Sequence, residues 1–286
     1  MTGEYRETVD DGWDQCFAVD EPLYEVRTDH QHLAIFRNRS LGRVLALDGV
    51  IQTSEKDAFI YHEMMAHMPI LAHGRVRRVL IIGGGDGGLL REVLCHRDIE
   101  EVVLVEIDPS VITLCRRYLP GHAQGAFDDP RTRVVIDDGM HFLAHTDARF
   151  DVILTDSTDP DGPAEVLFSR AYYAACKRCL SRGGVLVTQN GVAFLQLDEV
   201  AASAGHFDAL FRDWHFFAAA VPVYTGGIMT FGWACDDPAL RRLTPDAIQP
   251  RFQRAGITTR YYTPALHCAA FALPRYILDA IGKRSD

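Results

Sequence analysis

From Arg75 onward, short apolar runs alternate with stretches whose apolar residues recur at helical spacing. Runs of this kind predict strands at 79–82, 102–106, 132–137, 151–156 and 184–189, and helices at 87–97, 109–119, 169–180 and 198–211. A βα rhythm of that sort implies a doubly wound, mostly parallel sheet. Two later runs, Phe216–Val221 and Ile228–Trp233, flank a Pro- and Gly-containing turn and predict a closing antiparallel hairpin, and a last small helix is expected after Pro274. Before residue 70 the pattern differs. The runs at 17–19, 23–26, 33–36, 44–47 and 50–52 are short and β-like, and Asp48-Gly49 between two of them is a hairpin signal. A small antiparallel sheet is expected there, too small to bury much alone, so it should pack on the next domain or another subunit. Ser54, as N-cap, should open a helix over 58–67. The chain thus divides into an N-terminal β-sheet domain, 1–70, and an α/β domain, 71–286.

One stretch organises the second domain. Val79-Leu80-Ile81-Ile82 is a buried parallel strand, Gly83-Gly84-Gly85-Asp86-Gly87-Gly88 breaks it, and Leu89, Leu90, Val93 and Leu94 begin a helix face. Strand, glycine turn and helix form the entry to a Rossmann-like nucleotide site, and Gly83, Gly85 and Gly88 satisfy Gly-x-Gly-x-x-Gly. Glycine lets backbone come close to a ligand. The strand at 102–106 ends in Glu106, about 20 residues on, where such folds place the acid that holds a ribose diol. Asp86 does not suit a dinucleotide, since its carboxylate would repel a pyrophosphate at the helix start. The expected ligand is therefore a nucleoside with a neutral or cationic tail, on a methyltransferase-type sheet. A turn that only packs strand on helix is the alternative.

Composition narrows the partners. The 286 residues are 48% hydrophobic and 24% charged, an ordinary globular mix, and the net charge of −10 disfavours nucleic acid and anionic membrane. The polar, acidic start does not resemble a signal peptide, and no apolar run approaches the roughly 18 residues of a membrane span. Seven cysteines without a regular framework suggest reduced thiols in a cytoplasmic protein. Cys176 and Cys179 form a single C-x-x-C with no second pair, so they read as helix packing.

In open α/β sheets, ligands bind at the carboxyl ends of the strands. Collected there are Asp86, Glu106, Asp137-Asp138-Gly139 and Asp156-Ser157-Thr158-Asp159-Pro160, with no Lys or Arg among them. Glu106 would take the ribose hydroxyls, and Asp138 with Gly139 could receive an adenine amino group. Asp86, Asp156 and Asp159 exceed what a nucleoside needs and suggest ammonium ligands, because buried charges are paired. Calcium or magnesium is the competing interpretation. The segment from Asp156 to Phe168, with its prolines and glycine, could be a lid.

The segments LALDGVIQTSEKDAFIYHEMMAH, VLIIGGGDGGLLREV, VEIDPSV, DDG and DSTDPDGPAEVLF together resemble the spermidine synthase (polyamine aminopropyltransferase) family, closest to its bacterial members, over about residues 15–280. The resemblance implies transfer of an aminopropyl group from decarboxylated S-adenosylmethionine to putrescine, giving spermidine and methylthioadenosine. The nucleoside is then a co-substrate, and no cofactor or metal is implied. It further implies that Gln31, Glu106, Asp138, Gly139 and Pro163, beside Gly83 and Gly85, hold the nucleoside. Asp86 would bind the aminopropyl amine and Asp156 would be the catalytic acid. Tyr61, His62, Asp159 and Tyr224 would surround the diamine. From the residues alone, His62 reads as ordinary helix packing. A homodimer or homotetramer is expected.

Physical chemistry agrees with this assignment. Methyltransferases usually carry an acid two positions before the first glycine, where this chain has Ile81. Asp86 should attract a decarboxylated tail and repel the carboxylate of intact S-adenosylmethionine. The reaction is an in-line displacement beside a sulfonium, for which the enzyme positions the amine and Asp156 takes its proton. An alkylammonium pKa near ~10.4 predicts activity rising into alkaline pH. The rival interpretations are a diamine N-methyltransferase and a catalytically silent nucleoside- or polyamine-binding regulator.

Overall fold

A computed structural model describes residues 3–160 and 162–283, the side chains at 162 and 163 excepted. The N-terminal part holds two antiparallel sheets rather than the single one expected. β1 (Gly3–Asp10) and β2 (Trp13–Val19) form a hairpin, and β3 (Glu21–Arg27), β4 (His32–Asn38), β5 (Gly42–Leu47) and β6 (Val50–Ser54) form a four-stranded sheet. β1 escapes the apolar pattern because it is almost wholly polar and exposed; Tyr5 stacks on Phe36 to hold it down. The Asp48-Gly49 turn joins β5 to β6 with positive φ at both residues, as a tight hairpin requires.

Helix α1 (Ala58–His73) runs one and a half turns beyond the expected 58–67, so the boundary expected at residue 70 falls inside it. It ends on Gly74 in the left-handed conformation, a His-Gly stop signal visible in the sequence. Nearly every residue of α1 is buried, since it lies between the N-terminal sheet and the central one. Ser54 is not its N-cap. Asp57 holds that position and caps nothing; its carboxylate instead accepts from Ser54 Oγ and from the Val223 amide 166 residues away.

The central sheet is built from β7 (Arg78–Gly83), β8 (Glu101–Glu106), β9 (Thr132–Ile136), β10 (Phe150–Asp156), β11 (Leu180–Val192), β12 (Asp213–Ala219) and β13 (Met229–Cys235), in spatial order β12-β13-β11-β10-β7-β8-β9. β7 to β11 are parallel, and β13 runs antiparallel between β11 and β12 as the expected closing hairpin. α2 (Gly88–Leu94), α3 (Pro109–Tyr118), α4 (Pro120–Ala123), α5 (Gly139–His145), α6 (Arg170–Cys179) and α7 (Leu197–Leu210) form the crossovers. α8 (Pro245–Ala255), α9 (Pro264–Ala269) and α10 (Arg275–Ala280) follow, the last being the small helix expected after Pro274. Alternate residues of the central strands enter opposite cores. Val79, Ile81, Leu104 and Leu154 face α1 and α2, whereas Leu80, Ile82, Val103 and Ile153 face α5, α6 and α7. Cys176 and Cys179 are buried in the second core.

The chain leaves β7 for β8 on one side and later returns to place β10 on the other. This reversal opens a crevice at the carboxyl ends of β7 and β10, where Gly83 and Asp156 are register partners. Among the described residues no helix is long and apolar enough to cross a membrane.

Candidate active site

Five glycines in the turn after β7 each admit a particular neighbour. Gly83, at φ +82°, lies so close to β10 that a Cβ would stand 2.0 Å from the Asp156 carbonyl oxygen, to which the Gly84 amide donates at 3.0 Å. At Gly84 and Gly85 a Cβ would crowd the Asp156 and Glu106 carboxylates, at 3.0 and 2.7 Å. A Cβ at Gly87 would meet Ala123 at 2.6 Å, and one at Gly88 would meet the His62 ring at 2.1 Å. Thus the first three glycines bring the carboxylates together, and the last two seat α4 and α1 against the turn. Close approach of protein to protein, not only of ligand to backbone, explains the motif.

The crevice is a cavity of about 500 Å³. Of the residues singled out from the sequence, Gln31, Tyr61, His62, Gly83, Gly85, Asp86, Glu106, Asp138, Gly139, Asp156, Asp159 and Tyr224 all line it. The Pro163 side chain lies outside the described residues, as does Asp161 of the segment read as a lid; Asp159, Ala164 and Leu167 of that segment face the cavity. Among the described residues no Lys or Arg lines it, and no group of three or more His, Cys, Asp or Glu is arranged to hold a metal ion.

Its carboxylates differ in state because their neighbours differ. Burial raises Asp156 to about 6, helped by the negative Asp86, against the opposing pull of His62 and of Tyr61, whose hydroxyl donates to Asp156 Oδ1 at 2.7 Å. Burial likewise lifts Glu106 to about 7 although the Asp108 amide donates to it at 2.9 Å. Burial would also raise Asp86, but His62 at 3.4 Å, together with His122 and the Gly88 amide, holds it well below the usual carboxylate range. The same contact, working against burial, raises His62.

The remaining partners come from several elements. Gln31 donates to Asp108 Oδ2 at 3.1 Å, which ties the N-terminal sheet to the start of α3 beside Glu106. Asp138 caps α5 by accepting the His141 amide at 2.7 Å. Gln189 donates to Asp159 at 3.1 Å, and Tyr224 to the Gln52 carbonyl at 2.6 Å. Glu7 and Gln15, joined at 2.6 Å, line the cavity from the β1–β2 hairpin, and Asp57 and Gln189 line it as well. The sequence reading missed these four. Gln189 ends the expected strand at 184–189, where a neutral amide carries no charge to mark it as a ligand contact. Glu7 and Gln15 lie in strand segments without an apolar run, since the run at 17–19 begins only after Gln15.

Such a cavity can hold a ribose at Glu106 and multiple ammonium groups along its acidic wall. The Tyr61–Asp156 pair can position an amine and remove its proton.

Two domain families match the chain: the spermine/spermidine synthase domain over residues 58–243 and the spermidine synthase tetramerisation domain over 4–55. Polyamine aminopropyltransferase 1 of Pseudomonas aeruginosa is 59% identical, with 99% of each chain covered. A polyamine aminopropyltransferase of Klebsiella pneumoniae is 58% identical over 97% of each. Among solved structures, a spermidine synthase in complex with the transition-state analogue AdoDATO superposes with a TM-score of 0.92 at 34% identity, covering 98% of this chain and 94% of the other. The spermidine synthase of Thermotoga maritima gives 0.90 at 32%, with the same coverage.

Proposed function

The chain belongs to the spermine/spermidine synthase family, and on that premise we propose that it transfers the aminopropyl group of decarboxylated S-adenosylmethionine to putrescine, releasing spermidine and methylthioadenosine. The observation that carries this for the chain's own residues is the cavity, which gathers carboxylates from the turn after β7 and from the ends of β8 and β10 and no basic Lys or Arg among its described lining. A ligand pair bearing a sulfonium and several ammonium groups complements such a wall.

Each residue then has a task. Glu106 accepts the ribose hydroxyls, with Gln31, Gly83, Gly85, Asp138, Gly139 and Pro163 around the nucleoside. Asp86 receives the ammonium of the aminopropyl tail. Tyr61, His62, Asp159 and Tyr224 surround the diamine. Asp156, oriented by the Tyr61 hydroxyl, accepts the proton as the amine nitrogen bonds to the carbon beside sulfur. The carbon–sulfur pair leaves with the sulfur, which becomes a neutral thioether. A carboxyl near 6 is a stronger base than an ordinary one and is still ionised at neutral pH. Glu7 and Gln15, at the N-terminal side of the cavity, suit the far ammonium of the diamine.

The decisive experiment offers purified protein both intact and decarboxylated S-adenosylmethionine with a panel of diamines and identifies products by mass. Methylthioadenosine and spermidine are expected only from the decarboxylated donor. S-adenosylhomocysteine would mean methyl transfer, and the absence of any product would favour a binding protein. We also infer a homotetramer, assembled through the N-terminal sheets within residues 4–55, with light scattering of the full chain as the test.

A further inference from the structure

The tail-binding carboxylate is engaged on both sides by the protein. Asp86 Oδ1 accepts the Gly88 amide at 2.8 Å, while Oδ2 faces His62 Nε2 at 3.4 Å and His122 Nε2 at 3.8 Å. His62 lines the cavity, but His122 does not; it sits on α4 with its side chain 3% exposed. Its Nε2 lies 2.9 Å from Oγ1 of Thr53, a β6 residue that does line the cavity. Gly87 permits this by letting α4 press on the turn, as Gly88 does for His62.

Charge limits what this cluster can hold. Asp86 is one carboxylate between two imidazoles whose rings are 6.0 Å apart, so two imidazolium ions there would repel in a buried site. The other charged groups that act on the pair are Asp156 on His62, Glu55 on His122, and Arg91 on both. The Arg91 guanidinium is bonded to Glu92 and to the Gly121 carbonyl. Asp86 draws the proton to His62, whereas burial and the His62 charge work against protonation of His122.

We propose that His122 is a positioning residue for donor selection. Held by Thr53, it closes the far side of Asp86 as a neutral group. The carboxylate therefore carries one cation at a time, the His62 imidazolium in the free enzyme and the tail ammonium once the donor binds. The exchange balances: an ammonium enters, His62 becomes neutral, and its proton goes to solvent. This rests on the proposed donor. It adds that a nucleoside with an ammonium tail binds with proton release at this cluster and one without the tail does not.

Calorimetry in two buffers of different ionisation enthalpy, at neutral pH, tests it with decarboxylated S-adenosylmethionine and methylthioadenosine as probes. The first should release more protons than the second, by up to one, and its affinity alone should fall up to about tenfold per pH unit as His62 becomes fully protonated. His122→Phe should weaken the tailed nucleoside about tenfold and methylthioadenosine less than twofold, and His122→Gln, which can still bond Thr53, should restore the difference. If His122→Phe does not fold, Thr53→Val must show the same selective loss. Equal proton counts in the wild type, equal loss of both nucleosides, or failure of the Gln variant to restore would overturn the proposal. Should methylthioadenosine itself not bind the wild type, the proposed function falls first.

Discussion

Asp86, Glu106 and Asp156 are carboxylates of one cavity, yet one is held low and two are pushed up, to about 7 and about 6 for Glu106 and Asp156. The difference lies in what each touches: Asp86 has imidazole partners, while Asp156 has only a phenol. A carboxyl raised on folding keeps its proton to higher pH in the native state than in the unfolded chain. Its effect on stability is thus unfavourable above the folded value and disappears as pH falls below the unfolded one. Asp156→Asn should therefore stabilise the ligand-free protein at pH 7.5 by about 1–3 kcal/mol, read from thermal or denaturant melts, while lowering kcat by at least about 10²-fold. For the wild type, log kcat/KM should fall on the acid side with a midpoint near 6, the value of Asp156 in the free enzyme. A profile flat down to pH 5 would remove Asp156 as the proton acceptor.

At the scale of elements, the turn from β7 to α2 holds the site together. Gly83→Ala would combine a forbidden φ of +82° with a contact of 2.0 Å to backbone, which cannot move aside. We expect it to destabilise by more than about 3 kcal/mol or to prevent folding, as denaturant titration will show. Gly88→Ala meets only the His62 ring. Here the fold should survive, with native circular dichroism, and the loss of donor affinity toward acid pH should become shallower as His62 leaves Asp86. Helix α1 makes a related point. Its apolar and polar residues are almost all buried, so no amphipathic stripe marked its end, and only His73-Gly74 signalled the stop.

Over the whole molecule, the β1–β2 hairpin and the four-stranded sheet supply one wall of a cavity whose chemistry lies on the central sheet. Glu7→Gln should raise KM for the diamine about five- to tenfold and leave KM for the donor unchanged, since Glu7 lies in the hairpin and Glu106 at the end of β8. Because the wall is acidic and the acceptor a dication, KM for the diamine should also rise several-fold between about 0.05 and 0.5 M salt.

The sequence by itself determined the α/β class, the positions of the parallel strands β7 to β10 within a residue, the closing hairpin and the row of strand-end carboxylates, because apolar periodicity and glycine breaks are local signals; β1 was invisible and β2, β11 and β12 begin three or four residues before their apolar runs. Of the site, it located Asp86, Glu106, Asp138, Asp156 and Asp159 from strand ends alone. Gln31, Tyr61, His62 and Tyr224 were found only through family resemblance, since a polar residue in a buried helix or loop carries no local mark. Tertiary structure alone decided which carboxylates keep their protons to higher pH, that Asp57 ties α1 to the β12–β13 loop rather than capping its own helix, and that His122 comes from a distant segment to meet the turn and Glu7 from another to line the cavity. Those facts depend on contacts between residues far apart in the chain, where burial and a neighbour's charge, not the residue's own type, set its behaviour.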